Sequence, residues 1–174
     1  MTQAFHISVT PIGGDEYLVR TERVAPGVPL AEEQATWPVE EWLSRSSRLM
    51  RHPLAGLLAD DRPEESLFPP RDLVALGQEL YTNLFQGRLR ESWMMAEGIA
   101  RNRQEKLSLR LGLKGPRLPR LPWEVLHDGD RALCSGTDIL FSRYQPTSAG
   151  KSSPPQRLRA ADGRLGPREG LVEG

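Results

Sequence analysis

Residues 107–113 read LSLRLGL, and this short stretch decides the fold class. Its leucines alternate with Ser108, Arg110 and Gly112, so every leucine falls on the same side of an extended chain. That period of two predicts a β-strand with one buried face. A second strand is predicted at ILFSRY, residues 139–144.

The beginning of the chain shows the same alternation. Apolar and polar side chains alternate along residues 5–10, and a Gly-Gly-Asp turn follows at residues 13–15. Residues 4–23 are therefore predicted to form a β-hairpin. His6 falls on its polar face, where we expect a solvated strand histidine, because no second ligand residue stands nearby in the sequence.

The middle of the chain, residues 36–103, has the i, i+3, i+4 spacing of apolar side chains that predicts amphipathic helices. A loop rich in proline and glycine, residues 25–35, precedes them. Thr36 is placed to cap the first helix, which should end near Pro53. Two further helices follow with a short link at Gly87, a residue suited to a left-handed C-cap, and they should form an αα-hairpin.

Strands on both sides of a block of helices indicate an α/β or α+β layered fold. We expect one domain over residues 1–147, with a strand–LPWE–strand unit at residues 106–145 as its last part. Residues 148–174 contain five of the 16 glycines and no aromatic residue. Such a segment buries too little apolar surface to fold, so it is predicted to be a disordered low-complexity tail.

The charge balance narrows the classes of partner. Lys and Arg number 23 and so do Asp and Glu, which gives a formal net charge of zero. This argues against a nucleic-acid or anionic-membrane binder, whose affinity comes from excess positive charge. The sequence has no apolar run of the roughly 18 residues that a membrane helix needs, and its start lacks the features of a signal peptide, so we expect a cytoplasmic protein.

Cys134 and His127 are the one pair of side chains that could act as a nucleophile and its base, with Asp128 or Asp130 to orient the imidazole. The intervening residues read as a surface turn, which favours an inert, partly buried thiol over catalysis. A single cysteine also excludes an internal disulfide and a multi-thiolate metal site. We expect neither a metal nor a cofactor.

Three further motifs favour structural interpretations. Residues 150–152, Gly-Lys-Ser, follow a predicted strand as the end of a phosphate-binding loop would, but Gln145 stands where its first glycine is required. Lys114, Arg117 and Arg120 interleave with prolines, which suits a polyproline II ligand for an acidic groove or a solvated connection, and we favour the connection. Their charges would also suit phosphates, so a nucleic-acid role through these three residues is a third interpretation. The third motif is LPWE: Leu121, Pro122, Trp123 and Glu124. Trp123 can bury its ring and use its N–H as a fixed donor, while Glu124 can cap a turn or pair with a basic residue.

The order of these motifs resembles the opening of a CHAT domain, a caspase-like domain common in cyanobacteria and other bacteria. The residues that carry the likeness are the helix stripe at 76–85, the leucine strand at 107–113, LPWEVLHD at 121–128, and ILFSRY with Arg143. The resemblance covers residues 4–145, and the hairpin is similar to the extension that often precedes such domains. It implies a partial caspase-like sheet and cysteine proteolysis through a His–Cys dyad on later strands. Neither His127 nor Cys134 matches a dyad position.

In that family, the segment like ILFSRY leads into another parallel strand and then the dyad, whereas here a low-complexity tail follows. We therefore expect a non-enzymatic, truncated CHAT-like module that acts as a protein-interaction or regulatory protein. A partner protein or a second copy should pair with an open sheet edge near residues 107–113 and 139–144. The alternative is a cysteine peptidase, or half of a split CHAT peptidase that another chain completes. We expect no binding to membranes or nucleic acid.

Overall fold

A five-stranded mixed sheet is the frame of the protein, whose computed structural model describes residues 1–57 and 71–146. Its strands are β1 (Thr2–Gly13), β2 (Glu16–Val24), β3 (Glu32–Thr36), β4 (Lys106–Leu113) and β5 (Ile139–Tyr144). Across the sheet they follow the order β3-β2-β1-β4-β5. The predicted hairpin and the two later strands are confirmed.

The pairing directions show how the chain crosses the sheet. β1 pairs antiparallel with β2, and β2 pairs antiparallel with β3. β1 and β4 are parallel, as are β4 and β5, and Leu109 of β4 lies between Phe5 and Phe141. Parallel neighbours need long crossover connections, which the helices and the LPWE segment supply.

Three helices complete the described fold: α1 (Val39–Leu57), α2 (Arg71–Leu84) and α3 (Gly87–Asn102). The link between α2 and α3 is short, as predicted, and Gly87 has the expected positive φ of 48°. Gly87 nevertheless begins α3 instead of capping α2. The two helices do not pack along each other, so the predicted αα-hairpin is wrong: α3 packs on β1, β3 and β4, while α2 packs on α1 and on the turn at Trp123–Val125. The fold class is mixed α/β.

Three expectations for residues 25–53 are wrong. The predicted loop contains β3, and Thr36 ends that strand instead of capping a helix. β3 is an edge strand that backbone pairing with β2 holds in the sheet, with Ala35, for example, opposite Tyr17. Because it does not depend on a buried apolar face, its sequence shows no apolar alternation. α1 also continues past Pro53 to Leu57, since a proline removes one helical hydrogen bond without forbidding the turns beyond it.

The buried core is rich in tryptophan. Trp37, which the sequence patterns did not single out, stacks on Tyr17 with ring centroids 5.1 Å apart. It also lies 5.9 Å from Trp42 and 6.0 Å from Trp123. On the other side of the core, Trp93 contacts Phe5 and Phe85 at centroid distances of 5.1 and 4.8 Å. All four tryptophans are fully buried, and aromatic pairs at these separations add about 0.5–1.5 kcal/mol each beyond their burial.

Two sequence-based predictions lie outside the described residues. They are the disordered tail at residues 148–174 and the Gly-Lys-Ser segment at 150–152. The predicted helical turns at 121–128 are present in a tighter form, as 3-10 turns at Leu118–Arg120 and Trp123–Val125.

Candidate functional site

The LPWE segment forms a buried crossover between β4 and β5. Leu121 and Trp123 are fully buried, and Trp123 Nε1 donates a hydrogen bond of 2.8 Å to the Leu118 carbonyl oxygen. The predicted use of this indole N–H as a fixed donor is confirmed. A buried N–H needs an acceptor, so the bond fixes the ring and the turn together.

Arg143 of β5 ties the LPWE segment to the sheet. Its Nη1 donates to the carbonyl oxygens of Pro119 and Leu121 at 3.0 and 3.1 Å. Its Nε lies 2.9 Å from Glu124 Oε1, so Glu124 pairs with a basic residue as predicted. The planar guanidinium can serve all three acceptors at once. The LPWE motif is therefore structural, and one consequence is that β5 is held firmly in place.

The polar side chains of the turn that carries His127 form hydrogen bonds within the turn. His127 Nδ1 accepts a hydrogen bond of 3.1 Å from the Gly129 N–H. Asp128 Oδ1 accepts bonds of 2.8 Å from the backbone N–H groups of Asp130 and Arg131. Asp128 thus caps its own turn instead of orienting the imidazole.

Cys134 is exposed to solvent on the 3-10 turn Leu133–Ser135. Partial burial of the thiol, followed by the Glu124 carboxylate, raises the pKa of Cys134. A catalytic thiol needs the reverse, a lowered pKa and an adjacent base. In the described part of the chain, no hydrogen bond joins Cys134 to His127. These two candidate residues share a loop but form no nucleophile–base pair.

Arg117, one of the basic residues between the prolines, is fully engaged within the protein. Its guanidinium donates to Glu40 Oε1 at 3.0 Å, to Asp15 Oδ1 at 3.2 Å and to the Tyr17 hydroxyl at 2.6 Å. The hydrogen bonds to Glu40 and Asp15 raise its pKa. Arg117 therefore joins the hairpin to α1, as a structural connection would require.

A surface cavity of about 360 Å³ opens at the amino ends of β4 and β5. Burial, followed by the charge of Asp128, raises the pKa of Glu97 on its wall, and Arg131 donates to Asp138 at 2.9 Å. In open sheets with parallel strands, ligands bind at the carboxyl ends, which is the opposite side. Charged side chains of both signs line the cavity: Glu97, Arg101, Lys106, Arg131 and Asp138.

The two edges of the sheet differ in how they are protected. β3 presents two adjacent acidic residues, Glu32 and Glu33, and such charges discourage pairing with a further strand. β5 reads ILFSRY and has no acidic residue or lysine, while its one charge, Arg143, is held by the LPWE segment. Leu140 is 44% exposed there. Within residues 1–57 and 71–146 no further strand pairs with β5, so β5 is an unprotected edge of the described sheet.

Backbone groups of β5 point outward in a regular order. The Leu107 N–H donates to the Asp138 carbonyl oxygen at 2.8 Å, at the start of the parallel ladder between β4 and β5. From that register, the N–H groups of Ser142 and Tyr144 turn toward β4. The N–H and C=O groups of Phe141 and Arg143 therefore turn away from the sheet. The sequence alone predicted an open edge here but could not give these directions, which depend on the register.

Residues 1–57 and 71–146 contain no group of three or more His, Cys, Asp or Glu side chains that could hold a metal ion. Over the same ranges, no helix is long and apolar enough to cross a membrane. Against known proteins, this chain matches no family model, no curated protein and no solved structure.

Proposed function

We propose that this chain is a non-enzymatic protein-interaction module that accepts an extended segment of a partner protein as a further strand beside β5. The observation that carries the proposal is the unprotected edge of β5, which is apolar, lacks the acidic residues of β3 and turns backbone hydrogen-bonding groups outward. An extended segment at such an edge gains main-chain hydrogen bonds, and its alternate side chains provide specificity.

The backbone alone would bind such a segment weakly. Phe141 and Arg143 each offer one N–H and one C=O, or about four hydrogen bonds worth roughly 0.5–1.5 kcal/mol each. The loss of translational and rotational freedom on binding costs at least as much. Side-chain contacts must therefore supply most of the affinity, and the partner must have a suitable sequence.

The edge is rigid before a partner arrives. Arg143 is fixed by Glu124 and by two carbonyl oxygens, and Phe141 is partly buried against the core beside Leu109. A preorganised edge loses little entropy on binding. This supports the assignment of β5, instead of a mobile surface loop, as the docking element.

The resemblance to CHAT domains supports the same interpretation. In that family, the segment like residues 139–144 leads into another parallel strand. Under this proposal, a partner's segment takes the position that the next strand has in the resembled family. The split-peptidase alternative, in which another chain brings the dyad, would use the same edge. The other alternative, a peptidase built on Cys134 and His127, finds no support, because these two described side chains form no hydrogen bond with each other and the pKa of Cys134 is raised.

A peptide-display selection tests the proposal. Peptides of about ten residues are selected on the full chain, and their affinities are then measured by fluorescence anisotropy for wild type, Phe141→Pro and Phe141→Val. Proline removes the outward N–H at a position where an edge strand tolerates it, whereas valine changes the ring and keeps the N–H. We expect Phe141→Pro to weaken binding by roughly fivefold to tenfold, the loss of one backbone hydrogen bond, and Phe141→Val by less.

A second arm needs no change in the protein. Each selected peptide is synthesised in two forms, N-methylated on one or the other alternate set of amides. One form should lose binding and the other should keep it, because only one set faces β5. Selection of no peptide, or equal binding by both forms, would contradict strand pairing at this edge.

A further inference from the structure

Three nitrogen-bearing side chains lie side by side on the sheet face that the described helices leave uncovered. His6 of β1 pairs in register with Arg23 of β2 and with Arg110 of β4. Side chains at paired positions project from the same face of a sheet, about 5 Å apart. We call Arg23, His6 and Arg110 the basic row.

The basic row has no counter-charge of its own in the described part of the chain, where neither Arg23 nor Arg110 forms an ion pair. Glu22, next to Arg23, instead accepts hydrogen bonds from Ser8 and from Arg20. Partial burial, followed by the charges of Arg110 and Arg23, lowers the pKa of His6. Arg23 and Arg110 flank His6 from the two strands beside β1, so an anion bound over the basic row would be attracted by both guanidinium groups.

Arg110 is the member of the basic row that lies nearest the β5 edge. Its Cζ atom is 5.0 Å from the centroid of the Tyr144 ring, so the guanidinium leans over β5. Its register partner on β5 is Ser142, whose small side chain leaves space beside it. A strand added next to β5 would therefore present side chains toward a cation on one of its faces.

The other face of an added strand would lie beside an apolar side chain, Phe141. Phe141 lies on the helix-covered side of β5 and is partly buried against the core. Its neighbour Arg143 is already neutralised by Glu124. An apolar side chain placed beside Phe141 would extend the core, whereas a charged one would lose water without finding a partner.

We propose that the segment bound at β5 is an acidic one, with acidic side chains on the face that it shares with Arg110 and apolar side chains on the face that it shares with Phe141. This inference rests on the proposed function and names its partner class: an extended protein segment that alternates acidic and apolar residues. Carboxylates match the forked donors of a guanidinium. The two faces of a strand alternate with a period of two, so one short sequence meets both requirements.

A second copy of this chain fits the edge less well. If β5 of one copy paired with β5 of another, each copy would bring its own Arg110 toward the same seam, and like charges would then approach each other. The acidic pair on β3, Glu32 and Glu33, belongs to the opposite edge of the sheet. Nucleic acid would supply anions, but the formal net charge of zero gives the chain as a whole no attraction for a polyanion.

Designed peptides test the inference on the full chain. Three peptides of about eight residues alternate valine with glutamate, glutamine or lysine, and fluorescence anisotropy gives their affinities. We expect the glutamate peptide to bind roughly five times more tightly than the glutamine peptide, about 1 kcal/mol, with the lysine peptide weakest. Arg110→Gln should remove most of this preference, whereas Arg90→Gln, at an exposed position on α3, should leave it unchanged.

Each of the remaining outcomes of this experiment would contradict one named part of the two proposals. If the glutamine peptide binds as tightly as the glutamate peptide to wild type, and Phe141→Pro still weakens both, the acidic preference is wrong and strand pairing at β5 stands. If Phe141→Pro leaves binding of all three unchanged, the proposed function fails as well. Tighter binding of an oligothymidylate of about ten nucleotides than of the glutamate peptide, near physiological salt, would replace the inference by nucleic-acid binding. A dimer that Phe141→Pro dissociates would replace it by self-association.

Discussion

Replacement of Gly77 by alanine should destabilise the protein, even though alanine is the better helix former. Gly77 lies in α2 against the LPWE crossover, and the His127 N–H donates to its carbonyl oxygen at 3.2 Å. A Cβ atom at this position would stand 1.9 Å from the Val125 carbonyl oxygen and 2.9 Å from its carbon. Backbone atoms cannot rotate away as a flexible side chain can, so α2 must move off the crossover.

The expected size follows from two opposing effects. Alanine gains about 1 kcal/mol over glycine in a helix interior. Against this, overpacking typically costs about 1–3 kcal/mol, and loss of the His127 hydrogen bond adds roughly 1 kcal/mol. We expect the free energy of unfolding of Gly77→Ala to fall by about 1–3 kcal/mol. Gly98 of α3 is the matched control, because a Cβ there meets no atom within 4 Å, and Gly98→Ala should gain about 0.5–1 kcal/mol.

Urea denaturation of the two variants, followed by far-ultraviolet circular dichroism, measures both free energies. The predicted signs are opposite, with a difference of about 1.5–4 kcal/mol between the variants. If Gly77→Ala proved as stable as Gly98→Ala, α2 would not pack on the Val125 carbonyl as described. The crossover would then lose its main contact with the helices, and the argument that β5 is rigid would lose its support.

Three further predictions concern single side chains. Arg143→Leu leaves Glu124 and two carbonyl oxygens without their donor, so it should lower the free energy of unfolding by about 1–2 kcal/mol. Arg143→Lys should lose less, because it keeps the charge. Equal free energies of unfolding for both variants would show that the guanidinium geometry is unimportant. Burial opposes ionisation of Glu79, but hydrogen bonds from Trp42 and Arg45 outweigh it and hold the pKa of Glu79 below its usual value. Its stabilising effect is therefore present above about pH 4.3 and lost as the pH falls through the lowered pKa, so Glu79→Gln should reduce stability near pH 7 and change it little near pH 3, as urea denaturation at the two pH values would show. The raised pKa of Cys134 predicts slow alkylation by iodoacetamide near pH 7; the rate should rise in Glu124→Gln, and titration of the thiol below about pH 8 would contradict the prediction.

Side-chain pattern predicted the strands that have one fully apolar face. β4 and the start of β1 are examples, because half of their residues must enter the core and the period of two is then visible. β3 lacks that signal, since Glu32, Gln34 and Thr36 are exposed and its place depends on backbone pairing with β2. The sequence pattern also missed Trp37, because this residue lies in the short link between β3 and α1 and belongs to no periodic pattern.

The candidate site was predictable only in outline. The apolar composition of residues 139–144 indicated a strand. The resembled CHAT domains continue with another parallel strand, whereas a low-complexity segment follows here, and this difference predicted an open sheet edge. The basic row could not be found this way, because His6, Arg23 and Arg110 become neighbours only through the sheet order and register. Those are long-range properties that no local pattern encodes.

Backbone hydrogen exchange at β5 tests the central claim most directly, with the full chain alone and with the alternating valine–glutamate peptide at saturation. In the chain alone, we expect the outward N–H groups of Phe141 and Arg143 to exchange fast, while those of Ser142 and Tyr144, turned toward β4, are protected. The peptide should slow exchange at Phe141 and Arg143 by about tenfold or more, since a new backbone hydrogen bond forms at each. Protection of Phe141 and Arg143 before any peptide is added, or no change at saturation, would show that β5 is not an open edge that accepts a partner strand.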